Sequence, residues 1–404
     1  MTLLDTIAAA AAAADSGALS TLSTFPIVLN PGELHPDPDP NPNLQTLTPA
    51  TWKLSSLDSD LTSLIADSIV DLSKKLRNPK KPLSSPGPFV SVLNSFFKKV
   101  SFKTGITVQS HPNPKDPLDL NFTLAAVEKL GFAVVPEISA LVAECCARFD
   151  LWEVLKVLVA HNFVKNLNSF NLVEKLAEKN RAELLCLCVT RIPNLRASDI
   201  YAILKFFLSP TKDSYDAMVG IRKEWERQAL LAVEMATSKD YASKKGSHLS
   251  RAASLLLMMA HDNFHSSEIC LHYLFATNID DLVLSSAVSK LNGFEVLNLV
   301  RYFLKWLEKY ERFPEARPCY KAGEVLGLTA CNNVPPLESV VRGLGLVLDE
   351  HFSYLVLNPE VRDELEAARR VVGSLALEAD LCCPVDDIIK HLKSGARENM
   401  EVDR

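Results

Sequence analysis

Past Leu118 this chain is one helical pattern after another, and no other feature constrains its fold so tightly. Apolar residues recur at spacings of three and four over 120–130, 136–149, 151–163, 167–178, 182–190, 198–208, 213–235, 247–259, 266–276, 279–291, 294–312, 337–357, 359–379 and 384–392. Each such stripe is one face of a helix. The connections are short and polar, so successive helices are expected to pack as antiparallel neighbours. Only 14 glycines occur in 404 residues, too few for a fold of many tight β-turns. The expected fold is all-α: an irregular α-solenoid, or helical array of antiparallel hairpins, with no fixed repeat period. Ser198 is placed to cap the 198–208 helix and Pro210 to close it. In 294–312, Phe294, Leu297, Val300, Leu304 and Leu307 form the apolar stripe, while Lys305, Glu308, Lys309 and Glu311 read as a solvated face.

The residues before Leu118 differ. They hold 14 of the 23 prolines, and His35–Asn43 alternates proline with small polar residues that have nothing to bury. Four segments are expected: a disordered Ala/Pro-rich stretch over 1–50, a basic proline-rich linker with one or two short helices over 51–118, the helical array over 119–395, and a disordered tail over 396–404. The formal net charge is −6, yet 72–115 carries nine Lys or Arg and no Asp or Glu. A basic segment is thus attached to an acidic body. The run from Lys74 to Lys81, with Lys74, Lys75, Arg77, Lys80 and Lys81, reads as a nuclear-targeting signal or a phosphate contact, with a solvated helix end as the plainer alternative. Lys98, Lys99 and Lys103, interleaved with Phe96, Phe97 and Phe102, suit RNA contact through phosphate neutralisation and stacking; more often such aromatics anchor a helix to the core.

Near the C-terminus two stripes meet at Asn358-Pro359-Glu360. Val341, Leu344, Leu348, Phe352 and Leu355 lie on one side, Val361, Leu365, Ala368, Val372 and Leu375 on the other. Asn358 can end one helix and cap the next, with Pro359 at the first helical position, where its missing N–H costs nothing. The expected product is a packed helical hairpin without chemistry. The string LDEHFSYLVLNPEVRDEL, containing His351, Phe352, Asn358 and Pro359, is similar to the end of the C-terminal domain of the nucleolar protein 11 family. NGFEVLNLVRYFLKWLEKYERFPEARPC, containing Trp306 and Tyr310, supports the match, with LHYLFATNIDDLVLSSAVSKL just before it. The similar segments span roughly Leu271 to Leu392 and, more weakly, reach back to Leu151.

That resemblance implies a non-enzymatic scaffold in the nucleus and nucleolus, supporting pre-rRNA transcription and processing within the small-subunit processome. It implies other processome proteins as partners and pre-rRNA as a further partner through the basic segment. It also implies a preceding β-propeller, for which the first 118 residues are too short and proline-rich. No cofactor, metal, membrane or small-molecule substrate is expected. The alternative is a helical-repeat adaptor in another pathway, such as traffic or degradation.

Other chemistry is weakly signalled. HDNFH sets His261 and His265 at the spacing of a zinc-binding helix, with Cys270 and His272 downstream, so a metal-dependent hydrolase is a remote alternative. Against it, Asp262 is one methylene shorter than the usual base, and the segment reads as a turn in which Asp262 or Ser266 caps the next helix. Gly343-Leu344-Gly345 has no preceding strand and suits close helix packing. The nine cysteines form no C-x-x-C and lie mostly among apolar residues, as reduced core thiols do. Trp306 is expected in the core with Tyr310 at its edge, hot spots at a partner surface being the alternative. Ala8–Ala14 lacks the basic start of a secretory signal and the arginines of a transit peptide. No uninterrupted apolar run is long enough to span a membrane.

Overall fold

The computed structural model describes residues 56–77, 85–109, 119–164, 171–237, 244–316 and 318–402. The expected disorder of 1–50 falls outside them, as do Lys80 and Lys81. The chain divides into two compact units, Met1–Leu61 and Thr62–Arg404. Of the first, only 56–61 are described, and they are helical.

Among the described residues there is no strand. The α-helices are α1 (Ser56–Leu76), α2 (Pro86–Thr104), α3 (Leu120–Leu130), α4 (Pro136–Arg148), α5 (Trp152–Ala160), α6 (Leu172–Glu178), α7 (Ala182–Arg191), α8 (Ala197–Leu208), α9 (Lys212–Thr237), α10 (Lys244–His261), α11 (Ser266–Ala276), α12 (Asp281–Val288), α13 (Gly293–Arg312), α14 (Tyr320–Leu326), α15 (Leu337–Glu350), α16 (Phe352–Leu357) and α17 (Arg362–Val402). Short 3-10 turns cover Gly131–Ala133, Thr329–Asn333 and Pro359–Val361. The fold is all-α.

The scarcity of glycine has a structural counterpart. Asp150, Asn162, Asn180 and Asn263 adopt left-handed φ of 54–59° just past the ends of α4, α5, α6 and α10. Asn and Asp tolerate this conformation best after glycine. The next residue then turns its N–H back onto the helix: Leu151 to the Cys146 carbonyl at 2.9 Å, Phe163 to Leu158 at 3.0 Å and Arg181 to Leu176 at 2.9 Å. These are Schellman closures, and they stop a helix sharply enough for the next to double back.

Packing is not confined to chain neighbours. α7 lies against α11, and α8 against α12 and α13 as well as α6. α13 has α15 and α17 as its main neighbours. Its buried side is Val296, Leu299, Val300, Tyr302, Phe303, Trp306, Leu307 and Tyr310, while Phe294 is exposed. The expected stripe thus picked one edge of a broader face. Lys309, expected on the solvated side, is buried; its stem packs inward and its Nζ reaches Asp262 at 2.9 Å.

Several other boundaries differ from expectation. α2 buries Phe89, Val90, Leu93, Phe96, Phe97 and Val100 and packs on α3, so the supposed linker over 51–118 contributes to the common core. Ser198 lies inside α8; the helix opens at Arg196, whose N–H is accepted by the Asp199 carboxylate at 3.0 Å. α11 opens at His265, whose N–H is accepted by Glu268 at 2.7 Å, so neither Asp262 nor Ser266 is the cap. Asn358 does cap the following turn, accepting the Glu360 N–H at 3.2 Å. The flanking helices form no simple hairpin, because α15 and α17 each pack chiefly on α13. Val341, Phe352 and Val372 are accordingly exposed, while Val340, Val347 and Val371 are buried. α17 continues through Pro384 to Val402, so 384–392 is not a separate helix and 396–402 is not an irregular tail.

Candidate nucleic-acid interface

α1 ends in Lys74 and Lys75, where cations suit the helix dipole, and Arg77 follows; all three are exposed. α2 carries Lys98, Lys99 and Lys103 on its outer side. Asp71 brings the two basic groups together: its carboxylate accepts from Lys99 at 2.8 Å and from Lys75 at 3.1 Å. The Lys99 hydrogen bond first, then that of Lys75, holds the Asp71 carboxyl below its ordinary range. Asp71 stands one residue before the acid-free window, so the window overstated the free charge of this face.

A groove of about 640 Å³ runs along α2, lined by Ser91, Asn94, Ser95, Lys98, Lys99 and Phe102 among others. Asn94 is fixed, its Oδ1 accepting the Thr123 hydroxyl at 2.8 Å. Lys98 lies 5.1 Å from the centre of the Phe122 ring, a cation–π distance. Phe96 and Phe97 are core residues, but Phe102 is 90% exposed. The arrangement therefore offers one free aromatic plate beside lysines, the combination that binds a base and its phosphate.

The HDNFH residues do not come together as ligands. His261 is the last residue of α10 and His265 the N-cap of α11, so they are not one turn apart on a single helix. Asp262 is committed to Lys309, and Glu268 to Lys305 at 2.8 and 2.9 Å. Burial, followed by the nearby Arg222 charge, lowers the His261 pKa. Among the described residues no three His, Cys, Asp or Glu side chains are grouped to hold a metal.

His272 belongs instead to an aromatic core cluster with Trp225, Phe264, Tyr302 and Trp306, at ring separations of 4.7–5.6 Å. Trp306 is central to it, and Tyr310 is also buried, donating its hydroxyl to the Pro335 carbonyl at 2.6 Å. Neither is a surface hot spot. Cys186 and Cys188 are buried, and burial pushes the Cys188 thiol up to about 12, which keeps it protonated.

Of the other residues named by the resemblance, His351 ties the end of α15 to the end of α12, and Asn358 makes a local contact; Arg301 and Gly293 then link α13 to the segments after it. His351 Nε2 donates to the Val288 carbonyl at 2.9 Å, and Asn358 Nδ2 to the Tyr354 hydroxyl at 3.0 Å. Arg301 on α13 holds Glu364 on α17 at 2.9 and 2.7 Å. A Cβ at Gly293 would run into the Tyr354 ring, and one at Gly343 would lie 2.5 Å from Phe303 Cζ. Phe352 is exposed and joins none of these contacts.

No family model matches this chain. No curated protein matches it either. Among the described residues no helix is long and apolar enough to cross a membrane. The roles of Asp71 and Glu364 were missed from sequence. Both act across helices, through partners 28 and 63 positions away, which no local pattern signals.

Proposed function

We propose that this protein is a non-enzymatic helical scaffold in nucleolar ribosome assembly, carrying partner proteins of the small-subunit processome and touching pre-rRNA through the α1–α2 face. One observation supports this reading above the rest: the two stretches that resemble the nucleolar protein 11 family are held together by the residues quoted for the likeness. Gly293 against Tyr354, His351 to Val288 and Arg301 to Glu364 join the two stretches. The exposed Phe102 beside Lys98 adds the chemistry expected of an RNA contact.

Affinity purification of the tagged full chain with mass spectrometry tests the assignment. Small-subunit processome proteins are the expected catch; coat or degradation components in their place would favour the adaptor reading. Replacing Lys74, Lys75, Arg77, Lys80 and Lys81 with Ala should redistribute the protein out of the nucleolus. A chain that is cytoplasmic with or without those changes would refute the nucleolar role. For RNA, log K should fall steeply with log salt for the wild type and less steeply after Lys98→Ala and Lys103→Ala; a flat response would refute the contact.

A further inference from the structure

Asp119 is at odds with its position. It stands at the N-cap of α3, where an aspartate ordinarily has extended backbone and accepts an N–H of the first turn, as Asp280 does from Leu282 and Val283 at the start of α12. Its own backbone is left-handed, with φ 51° and ψ 40°, and its side chain makes no cap hydrogen bond. The neighbours hold its main chain: the Asp119 carbonyl accepts the Thr123 hydroxyl at 3.1 Å, and Asn94 Nδ2 lies 3.5 Å from it. The helix thus does not use this carboxylate, and Asp119 is exposed on the wall of the α2 groove.

The α2 wall of that groove is one helix face. Ser91, Ser95, Lys98 and Phe102 follow at spacings of four, three and four, and all four are exposed. Asn94, beside Asp119, and Phe102 are eight residues apart, about 12 Å along the helix axis, a span for neighbouring nucleotides of an extended strand. A carboxylate repels phosphate, so beside these lysines it opposes RNA unless a base donates to it. A carboxylate only accepts, and it does so best from two donors side by side. Guanine alone among the RNA bases offers that pair, N1–H and the N2 amine, on its Watson–Crick edge. Adenine and cytosine set one amine beside an acceptor, and uracil sets its N–H between two acceptors. In a duplex this edge is already paired, so the strand must be single. Resting on the RNA reading above, we propose that the α2 groove selects single-stranded RNA carrying a guanine, with Asp119 accepting the guanine edge, a neighbouring base stacked on Phe102 and Lys98 against the phosphate.

The test uses the full chain and fluorescence anisotropy with short oligouridylates that carry one central G, A, C or inosine. The G oligomer should bind about tenfold more tightly than the A and C oligomers, with inosine, which lacks the N2 amine, in between. Asp119→Asn should remove the preference without weakening the other oligomers, and asparagine tolerates the same left-handed backbone. Phe102→Ala should weaken all four. Equal binding of the four oligomers by the wild type would overturn the guanine assignment and leave the RNA reading standing. Binding of none of them would overturn both. 5′-GMP alone should bind far more weakly than the G oligomer, because it has no neighbour to stack on Phe102; equal affinity would make this a site for a free nucleotide and overturn the proposal. So would a guanine preference that survives Asp119→Asn.

Discussion

Acid should weaken this fold from its centre, through His272. The ring is fully buried, and its Nε2 lies 3.0 Å from the Ala260 carbonyl. A carbonyl can only accept, so Nε2 carries the proton and Nδ1 is the acceptor. Nδ1 receives the Tyr302 hydroxyl at 3.0 Å, and the Trp306 indole N–H approaches it at 3.4 Å. A second proton there would oppose two donors. Burial above all pushes the pKa from 6.5 down to about 3; the Ala260 carbonyl pulls the other way, and the Lys309 and His261 charges add to the depression. In the unfolded chain the ring returns to its ordinary value. At about pH 4.5 the unfolded state therefore binds one more proton than the folded state, and stability falls as pH falls. The loss begins near 6.5, grows by roughly 1.4 kcal/mol per pH unit, and levels off near 3. Between about pH 7.5 and 4.5 it sums to roughly 2–3 kcal/mol. Urea unfolding across that range should show the wild type losing this much more than His272→Gln, which keeps a donor and an acceptor but does not titrate. The comparison uses the pH slope, so a general weakening of the variant does not affect it. Parallel pH curves would refute the assignment of His272 as a neutral core residue.

Three further outcomes are expected. Asp71→Asn should change stability by less than about 1 kcal/mol, since the pair is exposed, yet should tighten RNA binding and steepen its salt dependence by releasing Lys75 and Lys99; a fluorescence titration at several salt concentrations checks both. Gly343→Ala should cost about 1–3 kcal/mol, because the buried Phe303 ring has no room to retreat, whereas Gly345→Ala, with nothing within 4 Å, should stabilise α15 by up to about 1 kcal/mol; urea midpoints of equal sign would contradict this. Asn358→Ala should cost about 1–2 kcal/mol through loss of the cap on Glu360 and of the Tyr354 hydrogen bond, measured by thermal unfolding against Asn358→Asp, which keeps the cap.

Most of the helices were legible because their apolar spacing is a local property. Ser266–Ala276 is found with the bounds expected, and Gly293–Arg312 begins one residue early. Which side of a helix is buried was less legible. Phe294 and Val341 fit their stripes as well as Val296 and Val340 do, and only neighbours far along the chain decide between them. Capping by Glu268 and Asp199 is not legible because those carboxylates reach back to His265 and Arg196 respectively, residue types that give no sign of a helix start. The basic face was visible as a charge run, but its partial neutralisation by Asp71 depends on a contact between residues 28 positions apart. Pro384 was read as a boundary, since proline removes a backbone donor inside a helix; α17 nonetheless passes through it.

The enclosure of α13 has a consequence for synthesis. Phe303 leaves the ribosome well before Gly343, whose backbone packs against its ring, and before α17 begins just past Val361. At about 5–20 residues per second, the roughly 60 residues between Tyr302 and Val361 take about 3–12 s to make. For that interval an amphipathic helix is finished while the side that α15 and α17 cover stays bare. Premature termination anywhere between Arg312 and Val361 would release a chain whose α13 lacks the cover of α17, a ready substrate for chaperones and proteases.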